Sequence, residues 1–264
     1  FDHSLPTADE LKESIFQAHE RADSIGVLST IIENHDEPRG VSHYIAEGPV
    51  NDTSKKALGT IQVLRKGIPF IYQGQEIGME NQVFESIEDF DDIATINGYH
   101  VAKEAGLSEE EALAVIANYS RDNARTPMQW TREPGLGFSD GPAWLISPKP
   151  DYSINVEDQE KDPDSILNYY RQLTALYRHP LYGNTIRFGD MIPAYRDREN
   201  IIAFERRGDK RLLVISNFQN RQATLELPAS IKTVILNNVA GLFQEGDQVL
   251  ELAPYQTVVL ELVE

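Results

Sequence analysis

The 264-residue chain contains no cysteine, which removes disulfides and thiolate metal ligands from any account of how it folds or works. That absence suits a cytoplasm and a bacterial exterior alike. Basic residues are scarce beside acidic ones, 24 Lys and Arg against 42 Asp and Glu, for a formal charge of −18. Such a surface repels phosphate, so nucleic acid and anionic membranes are excluded as partners and a neutral substrate fits better. No run approaches about 18 uncharged apolar residues, so no membrane span is expected. The first residues hold neither a basic n-region nor an apolar h-region, and no signal peptide is read. Because the chain starts at Phe1 and not at Met, its true N-terminus is expected elsewhere. Several motifs are missing too: there is no G-x-S-x-G, no Walker A and no G-x-G-x-x-G, which leaves serine hydrolysis and nucleotide binding without support. His19, His43, His100 and His179 each lack a second ligand-type residue at metal spacing, so no metal site and no cofactor are expected.

What is present is enough apolar residue, 41%, to bury one substantial core or two smaller ones. Thr7 and Glu10 read as a capping box, and Leu11, Ile15, Ala18 and Ala22 recur at helical spacing until Gly26. Val27 to Ile32 follows as a strand expected to be covered on both faces. The pattern repeats, with a helix over Ser54 to Lys66, Gly67 at its C′ position, and a strand over Ile68 to Tyr72. A third helix is expected from Asp162 as N-cap and Pro163 at N1, with Ile166, Tyr170, Leu173 and Tyr177 in register, stopping before Pro180. Alternating α and β elements imply a parallel sheet of βα units, and two strands cannot complete one, so most of the sheet is expected upstream.

Residues 73 to 163 are far too long for an ordinary βα loop, and long connections are usually functional. This one holds a helix from Ser108 to about Tyr119, opened by a Ser108/Glu111 capping box, and both tryptophans, Trp130 and Trp144. From about residue 186 only strands are read: Ile201 to Arg206, Leu212 to Asn217 after a Gly208-Asp209 turn, Ala223 to Leu227, Val234 to Leu236 and Thr257 to Leu262. That is a separate antiparallel β domain.

Three segments can carry chemistry. Asn34-His35-Asp36 ends a buried strand; it is either a capped strand end or part of a site, and parallel barrels build their sites at strand C-termini. Tyr72-Gln73-Gly74-Gln75-Glu76 also follows a strand, and Glu76 either orients neighbours or touches a ligand. Arg121-Asp122-Asn123-Ala124-Arg125-Thr126-Pro127-Met128-Gln129-Trp130 is either an ion-pair network fixing a loop or an arginine fork facing sugar hydroxyls.

Together these segments resemble the α-amylase superfamily, in its oligo-1,6-glucosidase, dextran glucosidase, trehalose-6-phosphate hydrolase and α-glucosidase branch. Asn34-His35-Asp36 with Pro38 and Arg39 is similar to the block at the end of barrel strand 7, and Gly67 to Glu76 to the strand 8 block. Arg121 to Trp130, continued by Gly137-Phe138 to Trp144, is the most specific. The resemblance implies an α/β fold: the C-terminal part of a (β/α)8 TIM barrel over residues 1–182, from helix 6 to helix 8, then an antiparallel β-sandwich domain over 183–264. Phe1-Asp2-His3 would fall just after strand 6.

The resemblance also implies roles. Asp36 would be the transition-state-stabilising carboxylate. His35 would bond the same glucose, with Asn34 and Glu37 beside it, and Arg121 would help close the subsite around the non-reducing glucose. Arg39, Glu76 and Arg125 would be structural supports near the site. A retaining glycosidase needs a nucleophile and an acid roughly 5 to 5.5 Å apart. In this family both come from strands 4 and 5, which these residues lack. The implied parent is thus a bacterial, cytoplasmic, retaining exo-acting α-glucosidase on short isomalto- or malto-oligosaccharides, and the isolated chain is expected to be inactive and to need the missing N-terminal part. Glu37 stands where relatives often have glutamine and Gln75 where many have glutamate, both near the expected leaving-group side or its support. The alternatives are a sucrose isomerase, a trehalose-6-phosphate hydrolase, or a non-catalytic glucosidase-like partner protein; intact Asn34, His35, Asp36 and Arg121 speak against the last.

Overall fold

The structure, a computed structural model, describes residues 5–46, 48–147, 151–241 and 243–263. Phe1-Asp2-His3 lies outside the described residues. In chain order the first elements are α1 (Ala8–Ala22), β1 (Ser29–Thr30), α2 (Gly40–Tyr44), α3 (Asp52–Leu64) and β2 (Ile68–Pro69). The long connection then carries α4 (Ile93–Glu104), α5 (Glu109–Tyr119), α6 (Asp122–Arg125) and α7 (Val156–Lys161). After it come α8 (Ile166–Leu176), α9 (Gly183–Phe188), β3 (Asp190–Ala194), β4 (Ile201–Arg207), β5 (Arg211–Asn217), β6 (Ala223–Glu226), β7 (Ile231–Asn237), β8 (Val249–Leu252) and β9 (Thr257–Leu262). Two compact units form, one from Ile32–His43 and Ile71–Asn168, the other from Pro6–Ile31, Tyr44–Phe70 and Tyr169–Glu264.

In the second of these units, the Thr7 hydroxyl accepts the Glu10 N–H at 3.2 Å while the Glu10 carboxylate accepts the Thr7 N–H at 2.8 Å, closing the expected capping box of α1. Helix α3 starts earlier than Ser54, because Asn51 caps it and Ser54 occupies the third position of that box. It ends at Leu64, with Arg65 extended. Gly67 therefore has a different task from capping: at φ 146° its missing Cβ lets the chain pass β1, since a Cβ would stand 2.6 Å from the Leu28 carbonyl oxygen.

Strands β1 and β2 pair in parallel, Ser29 with Ile68 and Thr30 with Pro69. The Gln62 amide of α3 donates to the carbonyls of Thr30 at 3.0 Å and Phe70 at 2.8 Å, binding the two strand ends together. Within these 264 residues only one face of this ladder is covered, as expected if the rest of the sheet lies upstream. Thr30 is buried, whereas Val27 is 73%, Ile68 56% and Phe70 52% exposed. The cause is the period-two alternation of a ladder covered on one side only.

The β region forms a five-stranded antiparallel sheet in the order β3-β4-β5-β9-β7 and a two-stranded sheet β6-β8. Leu213, Ile215, Leu225, Leu250, Leu252, Val258 and Leu260 fill the core that the two sheets share. Ile202, Phe204, Val214 and Val259 are buried as well, and α1 packs on β4 while α3 packs on β5 and β9. Burial on both faces is why these strands read as continuous apolar runs. Fully buried Arg206 donates to the carbonyls of Leu64 and Gly189, each at 2.8 Å, so it closes the C-terminus of α3. Burial pushes its guanidinium down to about 10. The sequence reading omitted α9, β3 and β8. β3 carries Pro193 at a sheet edge, and β8 is only four residues long.

The other unit holds most of the connection. Phe84, Phe90, Tyr99, Ala102, Ala112 and Ile116 form its core between α4 and α5, and α5 opens on the expected Ser108/Glu111 box. Helix α4 is hidden in the sequence by Gly98 and several β-branched residues. Helix α8 begins at Ile166, not at Pro163, because Asp162 terminates α7 and its carboxylate accepts the Asp164 N–H at 2.9 Å in a turn. No helix among the described residues is long and apolar enough to cross a membrane.

Candidate active site

All three polar segments meet within the unit built from Ile32–His43 and Ile71–Asn168. Past β1, Asn34 turns the chain: its side-chain oxygen accepts the Asp36 N–H at 2.7 Å, which presents His35 and Asp36 outwards. His35 Nε2 lies 3.2 Å from Asp36 Oδ2. The other oxygen, Oδ1, meets Arg125 Nη2 at 3.0 Å and Arg121 Nη1 at 3.5 Å. The Asp36 side chain nevertheless stays 51% exposed, so a half-open carboxylate stands among two guanidinium groups and an imidazole.

Each arginine is held from behind. Arg125 Nε donates to the His35 carbonyl at 2.9 Å, which ties α6 to the strand end. Arg121 Nε donates to Asp92 Oδ1 at 3.0 Å, and its Nη2 meets the same oxygen. Burial works against the charge of Asp92, but the hydrogen bonds from Arg121 and Thr95 together outweigh it and hold the carboxyl below its ordinary value. Arg121 in turn is held above its own by the Asp92 hydrogen bond. Asp122, fully buried, accepts the N–H groups of Asp91 and Asp92 at 2.8 Å each through Oδ2. It therefore anchors the start of α4 against α6.

Beneath the exposed groups lies a fully buried pair. Arg39 Nη1 lies 3.4 Å from Glu33 Oε2, with neither side chain exposed. Burial pushes the Glu33 carboxyl up to about 7, against the lowering influence of Arg39 and the Gly40 N–H. Glu76 accepts the Gly74 N–H at 2.8 Å and so fixes the turn after β2. Glu37 is exposed.

His35 and Arg125 open onto a cavity of about 520 Å3 walled by Tyr72, Gln73, Thr126, Pro127, Met128, Phe138, Trp144 and Leu145. Phe138 is 56% and Trp144 68% exposed, and the Trp144 indole N–H donates to Asp91 Oδ2 at 2.7 Å, which fixes the ring. Apolar ring faces beside a carboxylate and donors suit a pyranose, which offers C–H faces and hydroxyls. Among the described residues no group of three or more metal-ligating side chains is placed to hold a metal ion.

The structure thus brings together Asn34, His35, Asp36, Arg121 and Arg125, with Arg39 and Glu76 buried or half-buried behind them and Glu37 outside the contact network. Arg125 both organises the loop and touches Asp36, more closely than Arg121 does. Sequence reasoning missed Asp92, Asp91 and Glu33. Asp92 had one signal, an acid three residues before a threonine at a helix start, which matches its capping of Thr95 N–H at 3.2 Å.

The chain is similar to known proteins over most of its length. A probable oligo-1,6-glucosidase 2 of Bacillus subtilis (strain 168) is 37% identical over 232 residues, covering 85% of this chain and 40% of its own length. A trehalose-6-phosphate hydrolase of the same organism is 35% identical, covering 87% of this chain and 41% of its own length. The crystal structure of the isomaltulose synthase SmuA from Protaminobacter rubrum superposes with a TM-score of 0.89 at 33% identity, over 98% of this chain and 47% of that one. The chain spans less than half the length of each of these relatives. An α-amylase SusG C-terminal domain matches residues 201–259, on the antiparallel strands. The α-amylase catalytic domain matches residues 2–181, including every polar segment of the site, and the chain belongs to the α-amylase family, carrying part of its barrel and a C-terminal antiparallel domain.

Proposed function

We propose that the polypeptide carrying this chain is a retaining exo-acting α-glucosidase that hydrolyses short α-gluco-oligosaccharides in the bacterial cytoplasm. The observation that carries this is Asp36, a half-exposed carboxylate gripped by Arg125, Arg121 and His35 beside a cavity with exposed aromatic faces. An oxocarbenium-like transition state gains positive charge at the sugar ring. A carboxylate already oriented by three partners stabilises that charge without reorganising. In this reading Asp36 holds glucose hydroxyls and favours the transition state, His35 and Asn34 border the same glucose, and Arg121 closes the subsite. Glu37 faces the leaving group, while Arg39, Glu76 and Arg125 support the loop geometry. Residues 1–182 would be the barrel portion and 183–264 the β domain. The nucleophile and the acid would come from barrel strands 4 and 5, so the 264 residues alone would release no glucose.

The test is Asp36→Asn in the full-length enzyme. Turnover of isomaltose and maltose is expected to fall at least about 100-fold, as when a preorganised stabilising group is removed. Wild-type turnover in Asp36→Asn refutes the reading. A second reading, sucrose isomerisation, is favoured by the similarity to isomaltulose synthase. It uses the same glucosyl transfer with fructose in place of water as acceptor, and an isomaltulose product from sucrose would select it.

A further inference from the structure

Three separate stretches supply the cavity and the groups around Asp36: the strand end at 33–36, the turn at 72–73, and α6 with its flanks at 121–125. One side chain bonds to all three. Arg39 Nη1 donates to the Gln73 carbonyl at 2.8 Å, and Nε donates to the Asn123 carbonyl at 3.2 Å. Nη1 also faces Glu33 Oε2 at 3.4 Å, within the strand end itself. Its own N–H is fixed by Asn81 Oδ1 at 2.9 Å, and its guanidinium lies 5.7 Å from the centre of the Tyr72 ring. The residue is fully buried, so no water competes for these acceptors.

From this geometry we infer that Arg39 is a positioning residue for glucoside cleavage: it sets the distance between α6 and the strand end, and with it the grip of Arg125 on Asp36. Asn123 stands two residues before Arg125, so a shift of the Asn123 peptide moves Arg125 with it. Only a planar fork reaches two carbonyls and a carboxylate in different directions. The site's charge is unaltered by an ammonium, but an ammonium is a single nitrogen and cannot hold both peptides where the fork does. This role rests on the reading of Asp36 as the transition-state carboxylate.

The experiment is Arg39→Lys in the full-length enzyme, assayed on isomaltose at temperatures where circular dichroism shows the variant folded. A misplacement of about 1 Å near reacting groups costs about 100-fold in rate. The expected result is kcat lowered about tenfold or more, with KM changed far less, since the ground-state contacts of the sugar remain. A residue that served only stability would leave the folded lysine variant at wild-type kcat, and that result overturns the inference. Should Arg39→Lys not fold, Asn81→Asp takes its place beside Asn81→Ala: both lose the amide donor to the Asn118 carbonyl at 3.1 Å, but only Asn81→Ala removes the acceptor of the Arg39 N–H, so the difference between them reads that acceptor. The kcat of Asn81→Ala is expected to fall at least about threefold below that of Asn81→Asp at constant KM, and equal kcat values overturn the inference. Asp36→Asn run in parallel separates the two failures. If it too keeps wild-type activity, the reading of the site is wrong; if it alone is inactive, only the role of Arg39 is.

Discussion

Replacing Glu33 with glutamine tests whether this carboxyl is kept neutral in the fold. Burial is the largest influence on it and favours the neutral acid; Arg39 and the Gly40 N–H oppose that, and Glu76 adds to it. The balance pushes the carboxyl from 4.5 up to about 7, which corresponds to about 3 kcal/mol against the charged form. Linkage fixes the sign. Below about pH 4.5 both the folded and unfolded chains hold the proton, and between about 4.5 and 7 only the folded chain does, so stability falls as pH rises through that window. Above about 7 the loss is complete, at about 3 kcal/mol. Glutamine mimics the neutral acid and does not titrate. Going from pH 5 to pH 8, Glu33→Gln is therefore expected to gain about 2 to 3 kcal/mol relative to the wild type, whatever its offset at pH 5. Urea unfolding at the two pH values, followed by tryptophan fluorescence, reads this double difference. A difference below about 1 kcal/mol refutes the neutral carboxyl. A reversed sign shows that the Arg39 charge prevails over burial.

Two further outcomes follow from the unit that carries the strands. Gly67→Ala places a Cβ 2.6 Å from the Leu28 carbonyl at φ 146°, a conformation alanine rarely adopts. Urea unfolding is expected to show a loss well above about 1 kcal/mol, and an unchanged midpoint refutes the close approach. The open face of β1 and β2, with Val27, Ile31, Ile68 and Phe70 exposed, is large and apolar for a surface. The 264-residue chain expressed alone is expected to bind a hydrophobic dye and self-associate, and Ile68→Lys to weaken both; a dye-free, stable monomer on size exclusion refutes this.

Where local chemistry decides structure, the sequence was legible. Thr7/Glu10 and Ser108/Glu111 announce helix starts because the hydrogen bonds involved span only three residues. The strands β4, β5 and β9 are legible for another reason, since burial on both faces demands unbroken apolar runs. Elements set by tertiary context were not. Helix α4 carries Gly98 and β-branched residues and is held by packing of Tyr99 and Ala102 against α5. The exposure of one face of β1 depends on which neighbours flank it, and alternation cannot be read from a run as apolar as Val27 to Ile32.

The site divides along the same line, and charge is where the division matters most. Asn34-His35-Asp36 and Arg121 to Trp130 are visible as dense polar segments, yet nothing in their composition separates groups that face a ligand from groups that hold the loops. The structure separates them by burial. His35 and Asp36 are exposed, and His35 lines the cavity, whereas Glu33, Arg39 and Asp122 are fully enclosed and make their hydrogen bonds to backbone groups or to each other. A buried ion gains little net stability from a partner once desolvation is counted. Its retention makes sense where a fixed geometry is needed, because a charged group inside a protein tolerates few alternative arrangements of its neighbours. On this ground the enclosed groups, not the exposed ones, bring Arg125 and Arg121 to a single oxygen of Asp36.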